Sequence, residues 1–156
     1  MKKLPLAVLG VALLSSGTEL YAACNNATVV GGWGFTGSGA VFLPTGPVPV
    51  AAVGTAQFDP DGNISGSQDR SLGGDSQHET FSGTYSITRS CTLTITTNVY
   101  DDAATLQRTT TLKGIVVRNG RQTRMIYQSI ILPNGSPLPS VLTLDADRIA
   151  VEHGRN

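Results

Sequence analysis

Between Thr80 and Val99 the side chains alternate between apolar and polar with a period of two, and this pattern constrains the fold most. Phe81, Tyr85 and Ile87 fall on one parity of the first run, and Ser82, Thr84, Ser86 and Thr88 on the other. In the second run Cys91, Leu93, Ile95 and Val99 oppose Thr92, Thr94, Thr96 and Asn98. Successive side chains point to opposite faces in a strand, so the pattern predicts two strands, each with a dry and a wet face. Thr88-Arg89-Ser90 is the turn that joins them as a hairpin.

The same grammar extends along the chain. Val53–Phe58 and Ile64–Ser67 flank Asp59-Pro60-Asp61-Gly62-Asn63, where Pro presets φ and Gly supplies a positive φ, as a tight turn needs. Thr109–Val117 and Thr123–Leu132 flank Arg118-Asn119-Gly120-Arg121, and Asn-Gly is the strongest two-residue hairpin signal. A first strand around Thr28–Phe35 and a last one over Val141–Leu144 bring the count to about eight. Helical periodicity is nearly absent, and Asp102–Gln107 is long enough only for a turn. Short strands in sequence order without crossover helices predict an all-β, antiparallel up-and-down barrel, with a β-sandwich as the alternative. Eight strands enclose room for packed side chains or one small ligand.

Two stretches interrupt the pattern. Gly37–Val50 is apolar and carries Pro44, Pro47 and Pro49; Leu132–Pro139 is a shorter version. Proline cannot donate to a ladder, so both are expected as loops or edge segments. Val41, Phe42, Leu43 and Val48 then either plug one barrel end or form a lid over a cavity.

The chain begins Met1-Lys2-Lys3, continues with the apolar run Leu4–Leu14 and reaches the small residues Ala22-Ala23. That is the layout of an export signal, which predicts removal of residues 1–23 and a single domain over residues 24–156 in the periplasm or the medium. No later segment approaches the roughly 20 apolar residues of a membrane-spanning helix. In an oxidising compartment two cysteines pair, so Cys24 and Cys91 are expected as a disulfide. The alternative is a lipid anchor on Cys24, but Tyr21 stands where a lipobox has leucine.

Gly31-Gly32-Trp33-Gly34-Phe35 resembles the Gly-x-Trp that opens calycin barrels, lipocalins and avidins among them. Val53-Gly54-Thr55, Gly83-Thr84-Tyr85 and Cys91-Thr92 together resemble an uncharacterised exported bacterial family, with a barrel similar to that of allene oxide cyclases. The likeness spans most of residues 29–130 and implies the barrel, with an apolar interior. The chain lacks the Thr-Asp-Tyr turn of lipocalins, and Trp33 is its only tryptophan where avidins line their pocket with several. Residues matching the functional positions of allene oxide cyclases are not recognisable.

Net charge is zero over 156 residues, which gives no field to steer nucleic acid. No metal is expected: His78 and His153 are far apart, and His78 reads as part of a polar loop, Asp75–Glu79. Asp59–Asn63 lacks the distant Glu of an EF-hand. No cofactor motif, Gly-x-Ser-x-Gly elbow or phosphate loop is present. Asp101 and Asp102 point opposite ways on an extended chain, unlike a glycosidase pair.

Two candidate binding features follow. Trp33, Phe81, Tyr85, Leu93, Ile95, Met125 and Tyr127 are the residues expected to line an interior cavity for a small apolar ligand, although Trp33 also suits a structural cap. Arg118, Arg121 and Arg124, with Arg108 and Lys113 nearby, form a candidate anion patch, or else exposed charge for solubility. The leading expectation is a non-catalytic exported barrel that binds a small ligand or a partner. A cofactor-free isomerase or cyclase and a solid structural envelope protein are the alternatives.

Overall fold

The computed structural model describes residues 23–149; all of the predicted export signal but Ala23, and His153, lie outside them. Eight strands form one closed antiparallel barrel in sequence order: β1 (Gly31–Leu43), β2 (Gly46–Phe58), β3 (Asn63–Leu72), β4 (Asp75–Ile87), β5 (Thr92–Tyr100), β6 (Leu106–Val117), β7 (Gln122–Ile131) and β8 (Ser140–Arg148). β1 pairs with both β2 and β8, which closes the ring and removes the free edges of an open sheet. The up-and-down barrel is therefore the architecture, and the sandwich is set aside. Among the described residues no helix is long and apolar enough to cross a membrane.

The alternating parities become inside and outside. Leu93, Ile95, Thr97 and Val99 of β5 and Glu79, Phe81 and Tyr85 of β4 are buried, while Thr96, Asn98, Ser82 and Thr84 are not. At the end of the barrel nearest the N-terminus, Trp33 meets Phe58 edge-on at 6.0 Å and Phe58 meets Tyr85 at 4.9 Å. Phe35 meets Phe81 in the same manner. Both of these rings lie over glycines of the neighbouring strand: Phe35 faces Gly54, and Phe81 faces Gly66. A Cβ on Gly66 would come within 2.5 Å of the Phe81 ring, so the missing side chain is what lets the aromatic fill the lumen.

That same end is sealed. The 3-10 turn Asn26–Thr28 crosses it, and the Trp33 indole donates to Val29 O at 2.8 Å. Arg148 stacks 5.0 Å above the Trp33 ring and donates to the carbonyls of Thr28, Val30 and Gly120. Cys24 and Cys91 form the disulfide, tying this crossing segment to the turn before β5. The bond uses the Cys24 sulfur, which leaves no valence there for a lipid thioether.

Some boundaries differ from expectation. Gly37–Val50 is a long hairpin that continues β1 and β2 and turns at Pro44-Thr45. β2 pairs with β3 only from Val50↔Leu72 onward, so Pro47 stands on an edge, and Pro49, which has no N–H to give, only accepts there, from Gly73 N–H at 2.9 Å. Within it Val41 is buried, whereas Phe42 (44% exposed) and Leu43 (40%) face solvent, so those two plug nothing. The turn after β6 takes four residues rather than two, closing at Val117↔Gln122 with positive φ at Arg118, Asn119 and Gly120. Its reach brings Gly120 beneath the sealed end, against Thr28. His78 lies within β4, opposite Asp69 of β3, and not in a loop.

β7 and β8 pair only from Gln122↔Asp147 to Ile126↔Thr143. Beyond that the strands separate, and the Leu132–Pro139 connection fills the gap through Leu138 N–H donating to Ile130 O at 2.8 Å.

The disulfide closes a loop across 67 residues, which the chain-entropy relation equates to about 4 kcal/mol. Replacing Cys24 and Cys91 by Ser is expected to lower unfolding free energy by about that amount, read from urea titrations of both proteins. Separately, Gly66→Ala is expected to cost about 3 kcal/mol or more, measured by thermal unfolding, because its Cβ would collide with Thr55 O of β2 as well as with the Phe81 ring, so backbone must shift.

Candidate functional site

Midway along the lumen the apolar packing is broken by one carboxylate. Glu79 of β4 has no exposed surface, and its oxygens accept four hydrogen bonds. Gln68 Nε2 donates at 2.7 Å and Arg70 Nε at 2.8 Å, both from β3. From β6, Arg108 donates through Nη1 at 2.8 Å and Nη2 at 2.6 Å, in the two-pronged geometry that guanidinium and carboxylate favour. Arg70 also donates to Gln77 at 2.8 Å.

Burial pushes the Glu79 carboxyl up, but hydrogen bonds and charge from Arg108, with the bonds from Gln68 and Arg70, outweigh it and hold the pKa down at about 2. Tyr127 reaches the same region, and burial raises its phenol further above the ordinary range.

This cluster divides the interior. Below it Trp33, Phe81, Ile95, Met125 and Tyr127 border a space of about 50 Å³, room for a water or two and for no organic ligand. Tyr85 and Leu93 pack in the same core without bordering that space, and the Tyr85 hydroxyl donates to Asp59 O at 2.5 Å. The residues predicted to line a cavity are thus brought together, six of them as packed core and Tyr127 at the boundary with the space above.

Above the cluster the barrel opens into a cup of about 180 Å³. Its wall is aliphatic, made by Val41, Val50, Leu72, Ile130, Leu138 and Leu142, and its floor is Gln68, Arg70, Arg108 and Tyr127. The two proline-bearing segments build much of this wall, through Val41 and Val50 on one side and Leu138 on the other.

Sequence reading missed this site. Arg108, expected among the outer cations, points inward, in phase with buried Thr110 and Leu112. Glu79, expected in a polar loop, shares the parity of Phe81 and Tyr85. That parity was the available signal.

The predicted anion patch stays on the outside. Arg118, Arg121 and Arg124 are all exposed. Arg118 and Arg121 flank the turn under the sealed end, while Arg124 sits higher on β7 between Ile115 of β6 and Asp145 of β8. Arg124 and Lys113 border a shallow outer groove with Ile115 and Ile126. His78 Nδ1 lies 3.0 Å from Asp69 Oδ1 on the outer face, an interaction that raises the imidazole pKa. Among the described residues no three His, Cys, Asp or Glu side chains gather as metal ligands do. Asp59 accepts from the backbone N–H groups of Asp61 and Asn63, which accounts for its place in a turn.

The fold and site define an eight-stranded antiparallel barrel sealed at one end and open at the other, with an ionised charge cluster between. Compared with known protein families and with curated proteins, the chain matches none.

Because the Glu79 pKa lies below its ordinary value of 4.5, the carboxylate adds stability above about pH 4.5, and that stability is lost as pH falls toward 2. Glu79→Gln leaves two guanidiniums without their counter-charge and is expected to cost about 3–5 kcal/mol at pH 7. The difference from wild type should shrink between pH 4.5 and 2, as read from urea midpoints across that range.

Proposed function

We propose that the protein is an exported, non-catalytic binding barrel that takes a small molecule with an apolar body into the open cup. The observation that carries this reading is the aliphatic wall of Val41, Val50, Leu72, Ile130, Leu138 and Leu142 around open space, in a barrel whose other end is packed and sealed. A cup of 180 Å³ falls below the ~300–1,000 Å³ of drug-sized pockets, so the ligand is short or leaves part of itself at the mouth.

Binding without chemistry fits the one buried carboxylate. Glu79 is saturated by four donors and held ionised, so at neutral pH it has no proton to give and little tendency to take one. A cyclase or isomerase working through this group would need it poised nearer neutrality. The protein acts in the periplasm or the medium. An intramolecular disulfide persists where the surroundings are oxidising, and the charged-then-apolar start Met1–Leu14 has the layout of an export signal.

The test is methyl NMR on the oxidised protein titrated with hexan-1-ol. Signals of Val50, Leu72, Ile130 and Leu142 should move with about millimolar affinity, while those of Ile64 and Leu93 at the packed end stay in place. Leu138→Trp, which fills the cup, should abolish the shifts. Movement confined to the packed end, or none at all, would overturn the proposal.

A further inference from the structure

The floor of the cup carries more positive charge than its internal partner cancels. Arg70 and Arg108 both face Glu79, which is two cations on one anion. None of the cup's lining residues is acidic. The guanidiniums are mostly buried, with side chains 14% and 13% exposed, so water screens the excess poorly.

Their hydrogen bonding is incomplete as well. Glu79 and Gln77 occupy Nε and Nη2 of Arg70, and Glu79 occupies both Nη atoms of Arg108. Arg70 Nη1 and Arg108 Nε have no side-chain or backbone acceptor among the described residues. The cup therefore ends in unused guanidinium donors and uncompensated charge, beneath an aliphatic wall.

We infer that the ligand of the cup is a short-chain carboxylate, bound head-inward on Arg70 and Arg108 with its alkyl chain against Val50, Leu72 and Leu142. This deepens the proposed binding role and depends on it. An anion there would bring the floor to neutrality and accept the unused N–H groups, in charge-assisted hydrogen bonds stronger than neutral ones. The aliphatic wall, in turn, selects an organic anion over a hydrated inorganic one, since a bare inorganic ion gains nothing from apolar contact.

The experiment is calorimetric titration of the oxidised protein with three probes of equal chain length: hexanoate, hexan-1-ol and hexylammonium. Hexanoate is expected to bind about tenfold or more tighter than either of the others, the worth of one charge-assisted hydrogen bond. Equal affinity for hexanoate and hexan-1-ol, or a preference for hexylammonium, would overturn the carboxylate inference and leave the binding role standing. Failure of all three to bind would overturn both. Arg70→Gln should weaken hexanoate by about tenfold while leaving hexan-1-ol nearly unchanged. Should that variant not fold, Val50→Glu places a carboxylate in the wall instead, and should reverse the preference toward hexylammonium.

Discussion

The interior of this barrel is organised by the burial of a single carboxylate. Taking Glu79 out of water would cost several kcal/mol if it were left alone. Four donors from β3 and β6 offset that cost. Arg108 reaches Glu79 across the lumen, past β5, so the cluster links strands that share no ladder. It also separates two apolar clusters. Aromatic rings and branched aliphatics fill the space below, and Val41, Ile130 and Leu142 form a smaller buried cluster in the wall above.

The sealed end complements this. A closed ring of strands has no continuous free edge, so its two ends are the openings toward its interior. One of them is shut by a covalent bond, by the Trp33 plate and by Arg148, whose cation lies on that plate and whose N–H groups satisfy three carbonyls. The other carries the prolines, which lack the N–H groups needed for ladder bonds. The difference between the two rims thus follows from hydrogen-bond accounting.

Period-two alternation makes the strands readable, because facing is dictated residue by residue, whereas ring closure, a pairing of β1 with β8, is not visible in any local window and leaves barrel and sandwich both open. The Cys24–Cys91 pairing was readable from number alone, there being only two cysteines. What escaped was the meaning of charged residues in phase with the core. Glu79 and Arg108 were judged by their charge rather than by the parity they share with Phe81 and Leu112. A charge is buried only with its partner, and the partners come from other strands, so no local window reveals the pair. The edge position of Pro47 likewise depends on where β3 begins to pair, a fact of register between strands.

The short ladder between β7 and β8 gives the cup an uneven wall. This ladder has five pairs, and beyond it a connecting segment is held by Leu138 on Ile130 and the bridge between Ile131 and Pro137. Opening this seam breaks few hydrogen bonds and leaves the ring below Ile126↔Thr143 intact. The ring is therefore held least firmly at this seam: parting the strands above Ile126↔Thr143 costs the Leu138–Ile130 bond and the Ile131–Pro137 bridge, while the ladder below stays closed.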